Sequence, residues 1–332
     1  MMRPLRILHV NEVANVGSTL VQGLRTLGHD ASLLRLQLQG GHYSDFLKLF
    51  MIPTRIRELL RVNRKIISAR YDIVHIHYAY LGVLGIVKKY PFFIHCHGSD
   101  VRMVRSDVMR WLPVSQSIKQ AEACFFSTPD LANVVQGIRP DAIFLPNPIN
   151  TDHFKPLGNI RSLCPVRVLI ISSLSDLKGV SIAFEAIRIL RNANSGIEVS
   201  AFSNGLDENK YLGTPGVKFF SHVTYSEMPN VIGAHDIVIG QFSEGGSLGM
   251  SELEAMACGR PVICYFSHPE WYPELPPVLS ANEPHQVAQL LIRLITDPEL
   301  RFELGHQGRD WVQKYHDHLK VSRQLLKFYC AK

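Results

Sequence analysis

Ser247-Leu-Gly-Met-Ser-Glu-Leu-Glu-Ala-Met-Ala-Cys-Gly-Arg-Pro-Val-Ile263 reads as a glycine-bearing loop, a short helix and a buried strand. Gly245, Gly246 and Gly249 let a backbone approach a ligand closely. Leu253, Ala255, Met256 and Ala257 favour helix. Gly259 suits the position just past a helix end, and Pro261 blocks continuation. Val262 to Tyr265 then reads as a strand. A loop of N–H groups feeding a helix N-terminus is suited to an anion. The Glu254 carboxylate lies about one turn in, where it can meet hydroxyls. The pattern suits a ligand that is anionic in its middle and hydroxylated at both ends.

Outward from this segment, strands and helices alternate. Residues 166–171, 197–202, 217–220 and 237–239 are apolar runs of strand length. Val180, Ala183, Phe184, Ile187 and Leu190 form a helical stripe, residues 285–296 an amphipathic helix, and residues 310–329 a single terminal helix. The first half repeats the pattern. Strands are expected at 7–10, 31–36, 72–77, 92–95, 123–126 and 142–145, with a helical stripe Leu20, Leu24, Leu27 ended by Gly28. Apolar strands separated by amphipathic helices predict parallel sheets covered on both faces. Pro146-Asn-Pro148 and the polar stretch to Pro165 mark the domain boundary. The reading is two Rossmann-like doubly wound α/β domains, 1–150 and 151–315, with a cleft between them. Segment 316–332 is expected to pack back on the first domain.

The 332 residues suit two domains, and 46% hydrophobic with 19% charged residues describes a globular protein. No apolar run approaches the ~18 residues of a membrane-spanning helix. The N-terminus reads as a first strand, not a signal peptide. Cysteines 96, 124, 164, 258, 264 and 330 are scattered, so they are expected to be reduced core residues of a cytoplasmic protein. Residues 1–160 hold 19 Lys/Arg against 11 Asp/Glu, whereas the rest holds 16 against 18. A basic first half points to an anionic partner. Arg57, Arg61, Arg64 and Lys65 share one helix face and read either as a solvated face or as a patch for anionic lipid. No motif supports nucleic-acid binding.

Glu254-Ala-Met-Ala-Cys-Gly-Arg-Pro-Val262 resembles the donor-site signature of the family-4 retaining glycosyltransferases, which have the GT-B fold. Leu145 to Pro156 resembles that family's interdomain linker, and Asp297-Pro-Glu-Leu-Arg301 its C-terminal helices. The resemblance spans nearly the whole chain. It implies a metal-independent hexosyltransferase that moves a sugar from a nucleoside-diphosphate sugar to a glycan or lipid-linked acceptor, with retention and without a cofactor. Glu254 would hold the ribose. Lys178, before Gly179, and the amides of Gly246, Ser247, Leu248 and Gly249 would hold the diphosphate. His97, in His95-Cys-His-Gly-Ser-Asp100, would lie beside the transferred sugar.

Two positions depart from the family. Where the family has Gly-Arg-Leu before the lysine, this chain has Ser172-Ser173-Leu174, so Ser173 replaces a guanidinium. Counting eight positions back from Glu254, where the family has a first glutamate, reaches Gly246. Glu244 is the nearest upstream carboxylate and is expected to reach a sugar hydroxyl in its place. Glu244 and Glu252 have the family spacing in a shifted frame. These departures keep open a rival: a catalytically impaired sugar-nucleotide-binding protein that supports a partner transferase. A GT-B epimerase is a second rival, which the linker and signature oppose. Gly17 and Asp100 would line the acceptor or phosphate side of the first domain. Trp271 and Tyr272 would either stack on a ligand or pack their loop. His75, His77, His95 and His97 form two His-x-His pairs, but sequence supplies no carboxylate or cysteine to complete a set, so no metal is expected.

Overall fold

The computed structural model describes residues 3–36, 52–88, 90–102, 108–157, 165–192, 196–221, 223–243 and 245–331. Contacts divide the chain into two units. The first comprises Met1–Pro148 with His318–Lys332, and the second Ile149–Asp317.

In the first unit the strands are β1 (Arg6–Val10), β2 (Asp30–Leu34), β3 (Ile73–His77), β4 (Phe93–Cys96), β5 (Cys124–Phe126) and β6 (Ile143–Phe144). They form a parallel sheet in the order β2-β1-β3-β4-β5-β6. Strand β3 is buried at every residue. That burial is why it reads as an unbroken run instead of an alternation. Helix Val16–Thr26 follows β1 and packs against helix His318–Cys330, where a side chain on Gly23 would collide with Ser322.

The second unit contains β7 (Val166–Ile170), β8 (Ile197–Phe202), β9 (Val217–Phe220), β10 (Ile237–Ile239), β11 (Val262–Cys264) and β12 (Leu279–Ser280). Their order is β12-β11-β10-β7-β8-β9, again parallel. Val180, Ala183, Ile187 and Leu190 of one helix, with Val287, Leu291 and Leu294 of another, fill one side of the sheet. Leu253, Met256, Trp311 and Val312 belong to a second core with Leu169, Val238 and Val262.

The strand order reverses at β1/β3 in the first sheet and at β7/β10 in the second. Loops at such a switch point diverge, leaving a crevice at the carboxyl ends of the strands. The sequence reading is corrected in two places. The expected single helix over 310–329 is two, Pro298–Tyr315 and His318–Cys330. The break is held by a bridge between Ile149 and Asp317, by the Ile149 N–H donating to the His316 carbonyl (2.7 Å), and by Thr151 Oγ1 donating to Asp317 (2.7 Å). Of the cysteines, Cys96, Cys124, Cys258 and Cys264 are buried, but Cys330 is exposed.

Candidate functional site

The second unit's switch point is built by two loops. The first follows β7 and carries Ser173 and Lys178. The second follows β10 and runs from Gly240 to Gly249, into helix Met250–Ala257. Gln241, which sequence reasoning passed over, ties them together. Its side-chain oxygen accepts from Lys178 Nζ (2.8 Å), its Nε2 donates to the Ser247 carbonyl (2.8 Å), and its backbone N–H donates to Glu252 Oε1 (2.7 Å). Glu252 also accepts from the Gly249 N–H at 2.9 Å. This carboxylate is therefore the internal cap of the helix. The lysine stays on the exposed side of its loop, and Ser173 is half-buried beside it.

The glycine loop is engaged with itself at two amides. Gly246 N–H donates to the Ser243 carbonyl (3.0 Å), and Gly249 N–H to Glu252. Of the four amides expected to hold a diphosphate, two already have partners. Gly246 has φ of 52°, and a side chain there would collide with Ser267. The departure from the family's first glutamate is thus fixed in the backbone. Glu244 lies outside the described residues.

Glu254 differs sharply from Glu252. It is buried, yet its carboxylate takes no hydrogen bond among the described residues. Burial first, and the neighbouring Glu252 charge second, push its pKa up to about 8. A hydroxyl-bearing ligand would supply the donors this group lacks.

The first unit's switch point is occupied by its own side chains. Asn11, Ala14 and Asn15 after β1, and Tyr78 after β3, all have positive φ. Strain of this kind persists only where surroundings impose it. After β1, Glu12 holds the loop in this form. Its carboxylate accepts from the N–H groups of Val13 (3.1 Å), Gly17 (2.9 Å) and Ser18 (3.1 Å), at the positive end of helix Val16–Thr26. An added Cβ at Gly17 would crowd Asn11 and Glu12 at 3.1 and 3.2 Å. The Gly17 amide thus serves the loop itself.

Asp100 works similarly after β4. Its oxygens accept from the N–H groups of His97 (3.0 Å), Gly98 (2.9 Å) and Ala79 (2.8 Å), latching the β3 and β4 loops together. Burial raises its pKa against the pull of these donors. His97 is held by this latch at the partly exposed end of a histidine array. His77 Nδ1 lies 2.8 Å from His97 Nε2, and His9 Nδ1 lies 3.0 Å from His77 Nε2. Burial lowers the pKa of all five clustered histidines, that of His77 to about 3, so the imidazoles are neutral.

Other expected residues fall elsewhere. Tyr272 packs its ring against Trp311 (centroids 4.9 Å apart) and His316 (5.7 Å), which favours loop packing over ligand stacking. Arg57, Arg61, Arg64 and Lys65 are exposed on helix Ile52–Ala69, alongside exposed Leu60 and Ile67. Arg61 donates to Glu58 at 2.8 Å. No helix among the described residues is long and apolar enough to cross a membrane.

Comparison with known proteins agrees with this arrangement in both halves. Residues 13–153 match the family described as Glycosyltransferase Family 4, and residues 185–327 match that described as Glycosyl transferase-like. An uncharacterized glycosyltransferase of Methanocaldococcus jannaschii is 24% identical, over 82% of this chain and 80% of its own. A GDP-mannose-dependent monoacylated alpha-(1-6)-phosphatidylinositol monomannoside mannosyltransferase of Corynebacterium glutamicum is 36% identical over a shorter stretch, 29% of this chain and 28% of its own. The structure of Anabaena HepE in complex with UDP and glucose superposes with a TM-score of 0.73 at 14% identity, covering 99% of this chain and 100% of that one. Each half of the chain thus matches a glycosyltransferase family model, and the fold is GT-B.

Proposed function

We propose that the protein transfers a sugar from a nucleoside-diphosphate sugar to a glycan or lipid-linked acceptor, with retention of anomeric configuration and without a divalent metal. The observation that carries this reading is the buried, unpartnered Glu254 one turn into a helix whose N-terminal loop is joined through Gln241 to Lys178. A carboxylate placed to accept two ribose hydroxyls, beside a cation and helix amides for the diphosphate, matches the halves of such a donor. His97 lies beside the sugar, and Glu244 supplies the acid missing at Gly246. Leaving-group charge is met by Lys178 and the helix dipole instead of a metal.

The HepE complex holds UDP and glucose, which supports a nucleotide-sugar donor here. The Corynebacterium relative is named for a phosphatidylinositol mannoside, which supports a lipid-linked acceptor. The exposed basic Arg57–Lys65 face supports peripheral attachment of a cytoplasmic enzyme to anionic lipid. Ser173 and the crowded Gly246 favour a second reading, in which a partner does the catalysis and this chain holds the nucleotide-sugar. A melting screen against UDP- and GDP-sugars, followed by product analysis, decides between them. Stabilisation with turnover supports the transferase, and stabilisation without turnover the binding protein. No stabilisation by any nucleotide overturns both. Turnover in chelator should equal turnover with magnesium or manganese, and strict loss in chelator would remove the metal-free mechanism.

A further inference from the structure

Five histidines project from one face of the first sheet. His9 of β1, His75 and His77 of β3, and His95 of β4 are fully buried, and His97 follows β4. Strand register explains the convergence, since His9 pairs with His75 and His77 with His95. Side chains two residues apart on a strand share a face, so His75 and His77, like His95 and His97, point the same way. Apolar residues normally fill this position in a doubly wound sheet. The nitrogens are also incompletely satisfied. His95 Nε2 is buried without a hydrogen-bond partner.

We propose that His77, His95 and His97 form a binding site for a divalent transition metal of the zinc type. One imidazole nitrogen from each lies within 4.8 Å of the other two. Three neutral imidazoles with a fourth position open are a recurrent zinc ligand set. The nitrogens available to the ion are His95 Nε2, His77 Nδ1 and His97 Nε2. The last two, now 2.8 Å apart in a hydrogen bond, must separate to about 3.3 Å around an ion with Zn–N bonds of about 2.0–2.1 Å. His97 sits in a loop at the partly exposed edge and can make that adjustment.

The opposite ring nitrogens are held as metal-ligating histidines require. His77 Nε2 faces His9 Nδ1 at 3.0 Å, His95 Nδ1 faces His75 Nε2 at 3.3 Å, and His75 Nδ1 faces the Tyr329 hydroxyl at 2.7 Å. The proton count closes. With the ion on the three nitrogens named, His77 donates to His9, His95 donates to His75, and His75 donates to Tyr329. Each ring then carries one proton, and none is released. His9, His75 and His77 also converge, but all three are fully buried, so the outer trio is the one an ion can reach. All three ligands belong to the first unit.

The test uses the whole chain, chelator-treated and titrated with Co2+ and then Zn2+. The expected result is one equivalent of Co2+ giving the intense visible absorption of a four-coordinate nitrogen site, displaced by one equivalent of Zn2+. His97→Ala should weaken binding at least tenfold and His95→Gln should abolish it. His306→Ala, which removes an exposed histidine on helix Pro298–Tyr315, should change nothing. If His95→Gln fails to fold, His97→Ala at the partly exposed edge still decides. Tyr329→Phe, which removes only the outermost hydroxyl, should weaken Co2+ binding by less than His97→Ala. The proposal is overturned by the absence of a stoichiometric band, or by Co2+ affinity that is unchanged in His97→Ala. Nucleotide-induced melting shifts, measured in parallel, report on the donor site separately.

Discussion

The two switch points use their polar groups in opposite ways. At β1/β3, Glu12 fills the positive end of the following helix and Asp100 ties down three amides. At β7/β10, Glu252 plays that internal part, whereas Glu254 is buried without a hydrogen bond among the described residues and Lys178 stays on the exposed side of its loop. Two similar sheets can therefore carry one set of loops closed by its own carboxylates and one that leaves a buried carboxylate without donors among the described residues. The same contrast separates two glutamates in a single helical turn. Glu252 stabilises the fold, whereas Glu254 is held against its own solvation preference.

The largest loss of stability should come from breaking the internal half of this contrast. Glu252→Ala strands the Gln241 and Gly249 N–H groups in a buried setting. It should destabilise the protein by about 2–4 kcal/mol, read by denaturant unfolding. A loss below about 1 kcal/mol would mean that the cap is replaceable. Next is the ligand-facing half. Lys178→Ala should leave the unfolding midpoint nearly unchanged but weaken nucleotide-diphosphate binding by about 1–3 kcal/mol in calorimetry. Gln241→Ala should affect both readouts, because its side chain both holds Lys178 and donates to the Ser247 carbonyl. Affinity that is unchanged in both variants would place the diphosphate elsewhere.

Glu254 gives a pH test. Its pKa in the folded chain is pushed up to about 8 from the ordinary glutamate value of 4.5. A carboxyl raised on folding binds its proton more tightly in the native state, so it erodes stability as pH rises from about 4.5 to 8. Glu254→Gln removes that cost. The variant should match the parent near pH 4 and exceed it at pH 8, on the order of 4 kcal/mol. Donor binding should show the complement. If ribose hydroxyls donate to the ionised group, affinity should rise with pH up to about 8 and binding should release a proton. Buffer-independent binding enthalpies at pH 7 would take Glu254 out of the donor site.

How much of this was readable beforehand follows from what each feature depends on. Strands 197–202, 217–220 and 237–239 were legible to the residue because they are short, mostly apolar segments bounded by turn residues. Lys178 and Glu254 stood out because each lies next to a helix start. Gln241 was not legible: its role arises where three segments meet, and a lone glutamine has no spacing signature. Glu12 was equally hidden, since its partners are amides of a loop in a left-handed conformation that its composition does not announce. Glu252 did leave a signal. It stands three residues after Gly249, the spacing of a helix cap, but the sequence reading takes it only as the second glutamate of a shifted frame. The break at His316–Asp317 contains neither glycine nor proline, and contacts with Ile149 and Thr151 impose it.

The smallest expected effects concern the surface, where the two halves of the chain differ in charge. The first half carries the excess of Lys and Arg, and helix Ile52–Ala69 concentrates it in Arg57, Arg61, Arg64 and Lys65. Leu60 and Ile67 are 53% and 55% exposed on the same helix, so apolar side chains stand among the cations. That mixture suits the boundary between headgroups and acyl chains. A basic residue near an anionic membrane contributes about 1 kcal/mol. The four are not equivalent, because Arg61 is already bonded to Glu58. Arg64→Gln should therefore reduce co-sedimentation with phosphatidylserine vesicles by up to about fivefold, and Arg61→Gln by less. Binding should fall as salt is raised and vanish for neutral vesicles. Vesicle binding that is equal in the parent and in a variant with all four changed to glutamine would reduce this face to a solvated helix, leaving the second unit's donor site untouched.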